Sequence, residues 1–137
     1  MKKEYDLDIE GYWREIKKAS IPAHSGVYFV YVCTHENKKV TLHRLIYIGE
    51  AGNVRSRIAD HEKKANWVKY LKEGNELCYS TCLVPSIDRE RVEAAYIFKH
   101  EPPVNTEYKN SFPFDETRVK SKGKTRLINT DFTVLRS

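Results

Sequence analysis

Two apolar runs near the middle of the chain, at 26–33 and 40–48, are rich in β-branched and aromatic residues. A polar turn at 34–39 separates them, and such paired runs are typical of adjacent β-strands. Near Val30 and Ile46 both runs are apolar on both faces, which is expected of strands covered on two sides. The pattern therefore predicts a buried hairpin.

The stretch after the hairpin alternates between helical and strand patterns. Helices are predicted over 53–64, 66–73 and 86–100 from the spacing of their apolar residues. A third strand is predicted over 77–84, which is short, apolar and rich in residues that favour strands. The resulting order, β-β-α-α-β-α, predicts a small α/β domain of the α+β kind.

The two ends of the chain carry weaker patterns. Apolar residues between 5 and 18 recur at spacings of three and four, which predicts an amphipathic helix packed on the sheet. Towards the C-terminus we expect a loop over 111–117, a basic turn over 120–124 and a short strand within 127–135. No repeat or linker interrupts 1–137, so one domain is predicted.

Composition is that of an ordinary soluble domain, with 40% apolar and 31% charged residues in a chain of 137. No apolar run approaches the ~20 residues of a membrane span, and no signal-peptide pattern is visible. The three cysteines, Cys33, Cys78 and Cys82, include no Cys-x-x-Cys pair and are too few at useful spacing for a zinc site. We therefore expect a cytoplasmic protein with reduced core thiols and no membrane segment.

The net charge of +5 is concentrated at the C-terminal end. Residues 109–137 hold seven Lys/Arg against three Asp/Glu, whereas residues 1–108 hold seventeen against sixteen. A basic tail suits contact with phosphates, although charge alone is better explained by a solvated surface.

Side chains capable of chemistry recur along the same central stretch. Two tripeptides, Gly-Val-Tyr at 26–28 and Tyr-Ile-Gly at 47–49, each place a tyrosine on a predicted strand. Arg57 and His61 lie four residues apart and would share one face of the predicted helix. Two tyrosines and an Arg/His pair are an unusual set for a plain hydrophobic core.

Glu93 lies on a largely apolar face of the last predicted helix. A carboxylate in such surroundings should be paired with a cation or should hold a metal ion. The pairing alternative would use Arg89, Arg91 or Lys99. Asn105 follows Glu93 by twelve residues, in the loop after the helix.

These positions, in this order and at this spacing, resemble the GIY-YIG nuclease domain. The match has two mild departures: Val27 replaces the commoner Ile, and Glu50 stands where some repair-type relatives carry Lys. The resemblance spans 26–105, and the catalytic set that it implies is Tyr28, Tyr47, Arg57, His61, Glu93 and Asn105.

The resemblance implies a small three-stranded antiparallel sheet with helices on both sides, here with an N-terminal helix and a basic C-terminal extension. It also implies a metal-dependent endonuclease that hydrolyses DNA phosphodiester bonds and leaves a 5′-phosphate and a 3′-hydroxyl. Glu93 would hold one divalent ion, Mg²⁺ or Mn²⁺. A homodimer is one arrangement by which such a small domain would cut both strands.

Roles follow for the remaining residues. Arg57 would stabilise charge on the phosphate, because guanidinium presents a rigid donor fork. Tyr28 is the first choice as general base, acting as a phenolate, and its ionisation near pH 7 costs about 4 kcal/mol without help. Tyr47 and His61 would position the water or the phosphate, or exchange roles with Tyr28. Asn105 would be a scaffold or would position the phosphate.

The same chain also fits a module that binds nucleic acid or recruits a partner without cutting, and RNA is a secondary alternative to DNA as the substrate. A pure binding module has no need for the Glu93 carboxylate. Basic residues outside the motif are expected to contact DNA: Arg55, Lys64, Lys120, Lys122 and Lys124.

Overall fold

Six β-strands and three α-helices make up the computed structural model, which describes residues 1–137. No helix in it combines the length and the apolar character needed to cross a membrane. The strands are β1 (Lys3–Arg14), β2 (Gly26–Glu36), β3 (Lys39–Ala51), β4 (Glu76–Leu83), β5 (Thr117–Gly123) and β6 (Asp131–Val134). The helices are α1 (Val54–Ala59), α2 (Lys64–Val68) and α3 (Arg89–His100), with a 3-10 helix at Glu15–Ser20.

The strands form one mixed sheet in the order β3-β2-β4-β1-β5-β6. The predicted hairpin is confirmed as β2 and β3, and β4 pairs antiparallel with the other edge of β2. The predicted three-stranded antiparallel sheet is therefore only half of the sheet. Strands β1, β5 and β6 extend it, and the β1–β5 pair is parallel.

The predicted helix over 5–18 is wrong, because this segment forms β1 and the 3-10 helix. Tyr5, Leu7 and Ile9 alternate with exposed acidic residues, which is the period of a strand. Leu7 and Ile9 are buried, and β1 hydrogen-bonds to β4 on one side and to β5 on the other. Two neighbouring strands provide hydrogen-bond partners for the backbone N–H and C=O groups along both edges of β1. The helical spacing of its aromatic residues is not enough to favour a helix over this pairing.

The C-terminal extension is part of the sheet and not a free basic arm. The predicted turn over 120–124 lies mostly in β5, whereas the short strand expected within 127–135 is confirmed as β6. In the parallel register Glu4, Asp6 and Asp8 of β1 stand opposite Arg118, Lys120 and Lys122. The acidic edge of β1 thus compensates much of the positive charge of the extension.

Apolar cores lie on both faces of the sheet. The core beneath α3 includes Phe29, Tyr96 and Phe132, and the core beneath α1 and α2 includes Tyr28 and Trp67. The neighbouring residues Tyr28 and Phe29 enter opposite cores because side chains alternate along a strand. The three cysteines are free and buried, as predicted.

The predicted helix over 53–64 ends early. Asn53 caps it, accepting a hydrogen bond from the Ser56 backbone N–H at 3.2 Å, but α1 stops at Ala59. Asp60 is extended, and α2 begins at Lys64, so the helix expected over 66–73 starts earlier and is shorter. His61 therefore lies in the connection between the two helices and not on the helical face of Arg57.

Candidate active site

Tyr28 and Tyr47 enter the site from β2 and β3, with ring centroids 6.2 Å apart. Gly49 stands directly opposite Tyr28 in the hairpin, and a methyl group on Gly49 would overlap the Tyr28 ring. A methyl group on Gly26 would overlap the Cys82 backbone carbonyl of β4. Each tripeptide therefore needs its glycine, because another group occupies the space of a side chain.

His61 contacts the phenol of Tyr28 from the turn between α1 and α2. The two side chains form a buried hydrogen bond of 2.6 Å between His61 Nε2 and Tyr28 Oη. The Lys63 backbone N–H donates to His61 Nδ1 at 3.0 Å, so Nδ1 must carry a lone pair. Neutral His61 therefore bears its proton on Nε2 and donates it to Tyr28, which leaves the phenol proton of Tyr28 available to another acceptor.

Burial fixes the resting protonation of this pair. The pKa of His61 is lowered to about 4, first by burial and then by the positive charge of Arg57. The pKa of Tyr28 is raised, first by burial and then by Tyr47, while Arg57 opposes the rise. The resting state at neutral pH is therefore a neutral imidazole and a neutral phenol, and the phenolate needs additional positive charge.

Arg57 lies near the two tyrosines and is bound by Glu62, a residue outside the sequence motif. Its two terminal nitrogens donate to the two carboxylate oxygens of Glu62 at 2.5 and 2.6 Å. The side chain of Glu62 is 62% exposed, and that of Arg57 is 36% exposed. A carboxylate thus occupies the donor fork that is suited to a phosphate.

Glu93 points into the cleft from α3 without an ion-pair partner. Two of its expected partners are engaged elsewhere: Arg89 bonds to Glu50 at 2.6 Å and Arg91 bonds to Thr117 at 2.8 Å. Lys99, the third, is exposed and forms no salt bridge. The pairing alternative for Glu93 is therefore wrong.

The surroundings of Glu93 disfavour its negative charge. Its pKa is raised to about 8, first by burial and then by repulsion from Glu50, Glu107 and Glu90. The sequence did not predict that these three carboxylates surround Glu93, since Glu50 and Glu107 lie on segments other than α3. A cation in the cleft would relieve both the burial and the repulsion.

Asn105 is buried against the outer edge of β3. Its Oδ1 accepts from the Ile48 N–H at 3.0 Å, and its Nδ2 donates to the Ile48 carbonyl at 2.8 Å. The Val104 N–H also donates to the Ile46 carbonyl at 3.0 Å. The loop therefore pairs with β3 on both sides of Tyr47, an arrangement suited to holding that tyrosine in place.

Four of the six predicted catalytic residues line one cleft of about 260 Å³, called the tyrosine cleft below: Tyr28, Tyr47, Arg57 and Glu93. A neighbouring hollow of about 250 Å³ shares four of its lining residues and includes Lys63 and Asn105. The cleft combines three phenols, one guanidinium and four carboxylates. It is lined by Tyr28, Tyr47, Gly49, Glu50, Arg57, Glu90, Glu93, Glu107 and Tyr108.

The basic residues expected to contact DNA do not line the tyrosine cleft. Arg55 donates to the Ile21 carbonyl at 2.5 Å, and Lys64 bonds to Glu15 at 2.6 Å. Lys120 bonds to Glu4 at 2.9 Å, which satisfies its charge within the sheet. Lys122 and Lys124 are exposed and form no salt bridge.

Sequence comparison with known proteins supports the family resemblance. The sequence profile of the GIY-YIG catalytic domain matches residues 27–109. UvrABC system protein C of Borrelia garinii subsp. bavariensis is 28% identical over 116 residues, which cover 83% of this chain and 18% of that protein. The chain thus spans less than a fifth of that relative's length, and no solved structure matches it. The profile covers more than half of the chain, which therefore belongs to the GIY-YIG catalytic domain family, a family of nucleases.

Proposed function

We propose that this protein is a metal-dependent endonuclease that hydrolyses DNA phosphodiester bonds in the tyrosine cleft. The observation that carries the proposal is Glu93, a carboxylate without a cation partner, in one cleft with Tyr28 and Arg57. A binding module would gain nothing from this arrangement, because an unpaired carboxylate in partly buried, acidic surroundings destabilises the fold. In a nuclease, that carboxylate would hold the metal ion.

The donor set fits one hydrated Mg²⁺ or Mn²⁺ ion and not an ion enclosed by protein ligands. No group of three or more His, Cys, Asp or Glu side chains converges on one point. Mg²⁺ characteristically takes one or two carboxylates and completes its shell with water and substrate phosphates. Glu93 would hold the ion, and Glu50 and Glu107 would add to the negative potential around it. When bound, such an ion neutralises charge on the phosphate and on the departing 3′ oxygen.

Arg57 would bind the scissile phosphate in place of the Glu62 carboxylate. In the free protein its fork holds the Glu62 carboxylate. A phosphate offers the same paired oxygens with more charge, so it would displace Glu62, which is 62% exposed and returns readily to water. The guanidinium would then stabilise the charge that builds on phosphorus oxygens in the transition state.

Tyr28 would take a proton from the attacking water as that water's oxygen bonds to phosphorus and the bond to the 3′ oxygen breaks. The His61 Nε2–H, at 2.6 Å, would stabilise the phenolate that this role requires. Because His61 resists protonation, it acts here as a donor and not as a store for the proton. Tyr47, held by the Asn105 loop, would orient the water or the phosphate.

The experiment is cleavage of supercoiled plasmid with Mg²⁺, with EDTA, and with Glu93→Gln protein. Nicked or linear product should form only with the divalent ion and should vanish with Glu93→Gln. Glu101→Gln is the matched control, since Glu101 is exposed just beyond the end of α3 and outside the cleft. Cutting in EDTA, or by Glu93→Gln at the wild-type rate, would refute the proposal. Cleavage of an RNA duplex in preference to DNA would show that the substrate is RNA and not DNA.

A further inference from the structure

The largest hollow in the surface lies away from the tyrosine cleft and has no part in the chemistry above. It has a volume of about 400 Å³ and is called the distal pocket. None of its lining residues is acidic. The lining consists of Val32, His43, Arg44, Tyr70, Lys72 and Asn75.

The cations of the distal pocket are uncompensated, unlike many others in this protein. Arg14, Arg89 and Arg118 each form a salt bridge with an acidic side chain. Arg44 and Lys72 form none, and both are exposed. Two free cations around a hollow without carboxylates create a positive potential that attracts an anion.

Arg44 is also held in place by an aromatic ring. Its guanidinium carbon lies 5.2 Å from the centre of the Tyr70 ring, within the range of a cation–π contact. Tyr70 packs in turn on the core beneath α1 and α2. An arginine oriented in this way loses less side-chain freedom when it binds a phosphate than a free surface lysine does.

The distal pocket lies on the same face of the hairpin as the catalytic tyrosines. Val30 pairs with Tyr47, and two residues further along β2, Val32 pairs with Arg44. Two residues of strand span ~7 Å. The two sites are therefore close enough for the backbone of one DNA strand to pass both. Lys63, which also forms no salt bridge, lines the hollow next to the tyrosine cleft.

We propose that the distal pocket is a second DNA subsite, in which Arg44 and Lys72 bind a backbone phosphate of the strand that carries the scissile bond. This inference rests on the proposed DNA nuclease function and specifies how the substrate strand passes the cleft. The subsite would align the strand and tighten binding, and it takes no part in the bond-breaking step.

The test compares two double variants that remove the same charge from opposite sides of the sheet. Arg44→Ala/Lys72→Ala removes both free cations from the distal pocket. Lys39→Ala/Arg126→Ala removes two exposed cations from a hollow of about 360 Å³ that also includes Tyr12. Tyr12 packs against the core beneath α3, so this control lies on the other face. All four side chains are exposed, and both variants should fold.

Binding of a 20-base-pair DNA duplex is measured by fluorescence anisotropy in EDTA over a salt series. We expect Arg44→Ala/Lys72→Ala to lose at least tenfold in affinity and to reduce the slope of log affinity against log salt by about 2. The control should change neither quantity. With saturating protein, Arg44→Ala/Lys72→Ala should cut plasmid at the wild-type rate.

Equal losses in both variants would overturn the proposal, since they would reflect overall charge and not a site. Unchanged affinity of Arg44→Ala/Lys72→Ala would also overturn it, and plasmid cutting by the wild type would then leave the proposed function standing. A wild type that neither binds nor cuts DNA would remove the proposed function and this inference together.

Discussion

Replacing Glu93 by Gln should stabilise the free protein while it removes nuclease activity. The change keeps the shape of the side chain and removes a charge that the cleft disfavours. The pKa of Glu93 is raised from 4.5 to about 8, because the group is buried and faces Glu50, Glu107 and Glu90. The folded state therefore holds more protons than the unfolded state between these two values, so folding stability falls as pH rises through that window.

The magnitude follows from the shift. Each unit of pKa corresponds to ~1.4 kcal/mol, which gives a cost of roughly 1 kcal/mol at pH 5, roughly 3 kcal/mol at pH 7 and roughly 5 kcal/mol above pH 8. The cleft is open to counter-ions and to side-chain rearrangement, which lower these values. We therefore expect Glu93→Gln to gain about 1–3 kcal/mol at pH 7 and almost nothing at pH 5.

The measurement is urea unfolding of both proteins in EDTA at pH 5, 7 and 8.5. The difference between them isolates Glu93, because other titrating groups, such as His61 and His100, contribute equally to both. Adding Mg²⁺ at a hundred times its dissociation constant should stabilise the wild type by about 2.7 kcal/mol and leave Glu93→Gln unchanged. A difference that does not grow with pH, or equal stabilisation of both proteins by Mg²⁺, would show that the reasoning about Glu93 is wrong.

Three further predictions concern the phenols, the arginine and the extension. Tyr28→Phe should lose at least ~100-fold in single-turnover cleavage, whereas Tyr47→Phe should lose less, because a positioning hydrogen bond is worth roughly 0.5–1.5 kcal/mol; the reverse order would exchange the two roles. Glu62→Gln should tighten DNA binding severalfold in an anisotropy assay, since it frees the fork of Arg57; weaker binding would mean that Glu62 orients that arginine for the phosphate. Truncation after Lys109 should unfold the protein, as followed by circular dichroism, because it removes β5, β6 and buried residues such as Phe112; a folded fragment would contradict this.

The hairpin and the position of each tripeptide could be predicted from the sequence because their information is local. Strand pairing across a short turn follows from adjacent apolar runs, and α3 follows from the spacing of its apolar residues. The six motif positions lie in family order along the chain. Once the hairpin forms, its register fixes the positions of Tyr28, Tyr47 and Gly49 relative to one another.

The contacts that define the chemistry come from residues far apart or outside the motif. Tyr28 and His61 are 33 residues apart, and their hydrogen bond exists because the helix breaks at Asp60. Glu62, which binds the guanidinium of Arg57, is not one of the motif positions. Glu93 remains unpaired because Arg89 binds Glu50, 39 residues away. A side chain's partners depend on which segments meet, and spacing along the chain does not carry that information.

The N-terminal helix over 5–18 and the basic turn over 120–124 were mispredicted for the same physical reason. A strand is stabilised by its neighbours, and those of β1 are β4 and β5, which follow it by more than 60 residues. The helical spacing of the aromatic residues near Tyr12 competed with the period-two pattern around Leu7, and only the pairing decided between them. That pairing also placed the acidic side chains of β1 against the basic ones of β5. The sequence by itself thus determined the motif and the net charge, whereas the tertiary structure decided which charges remain free for a substrate.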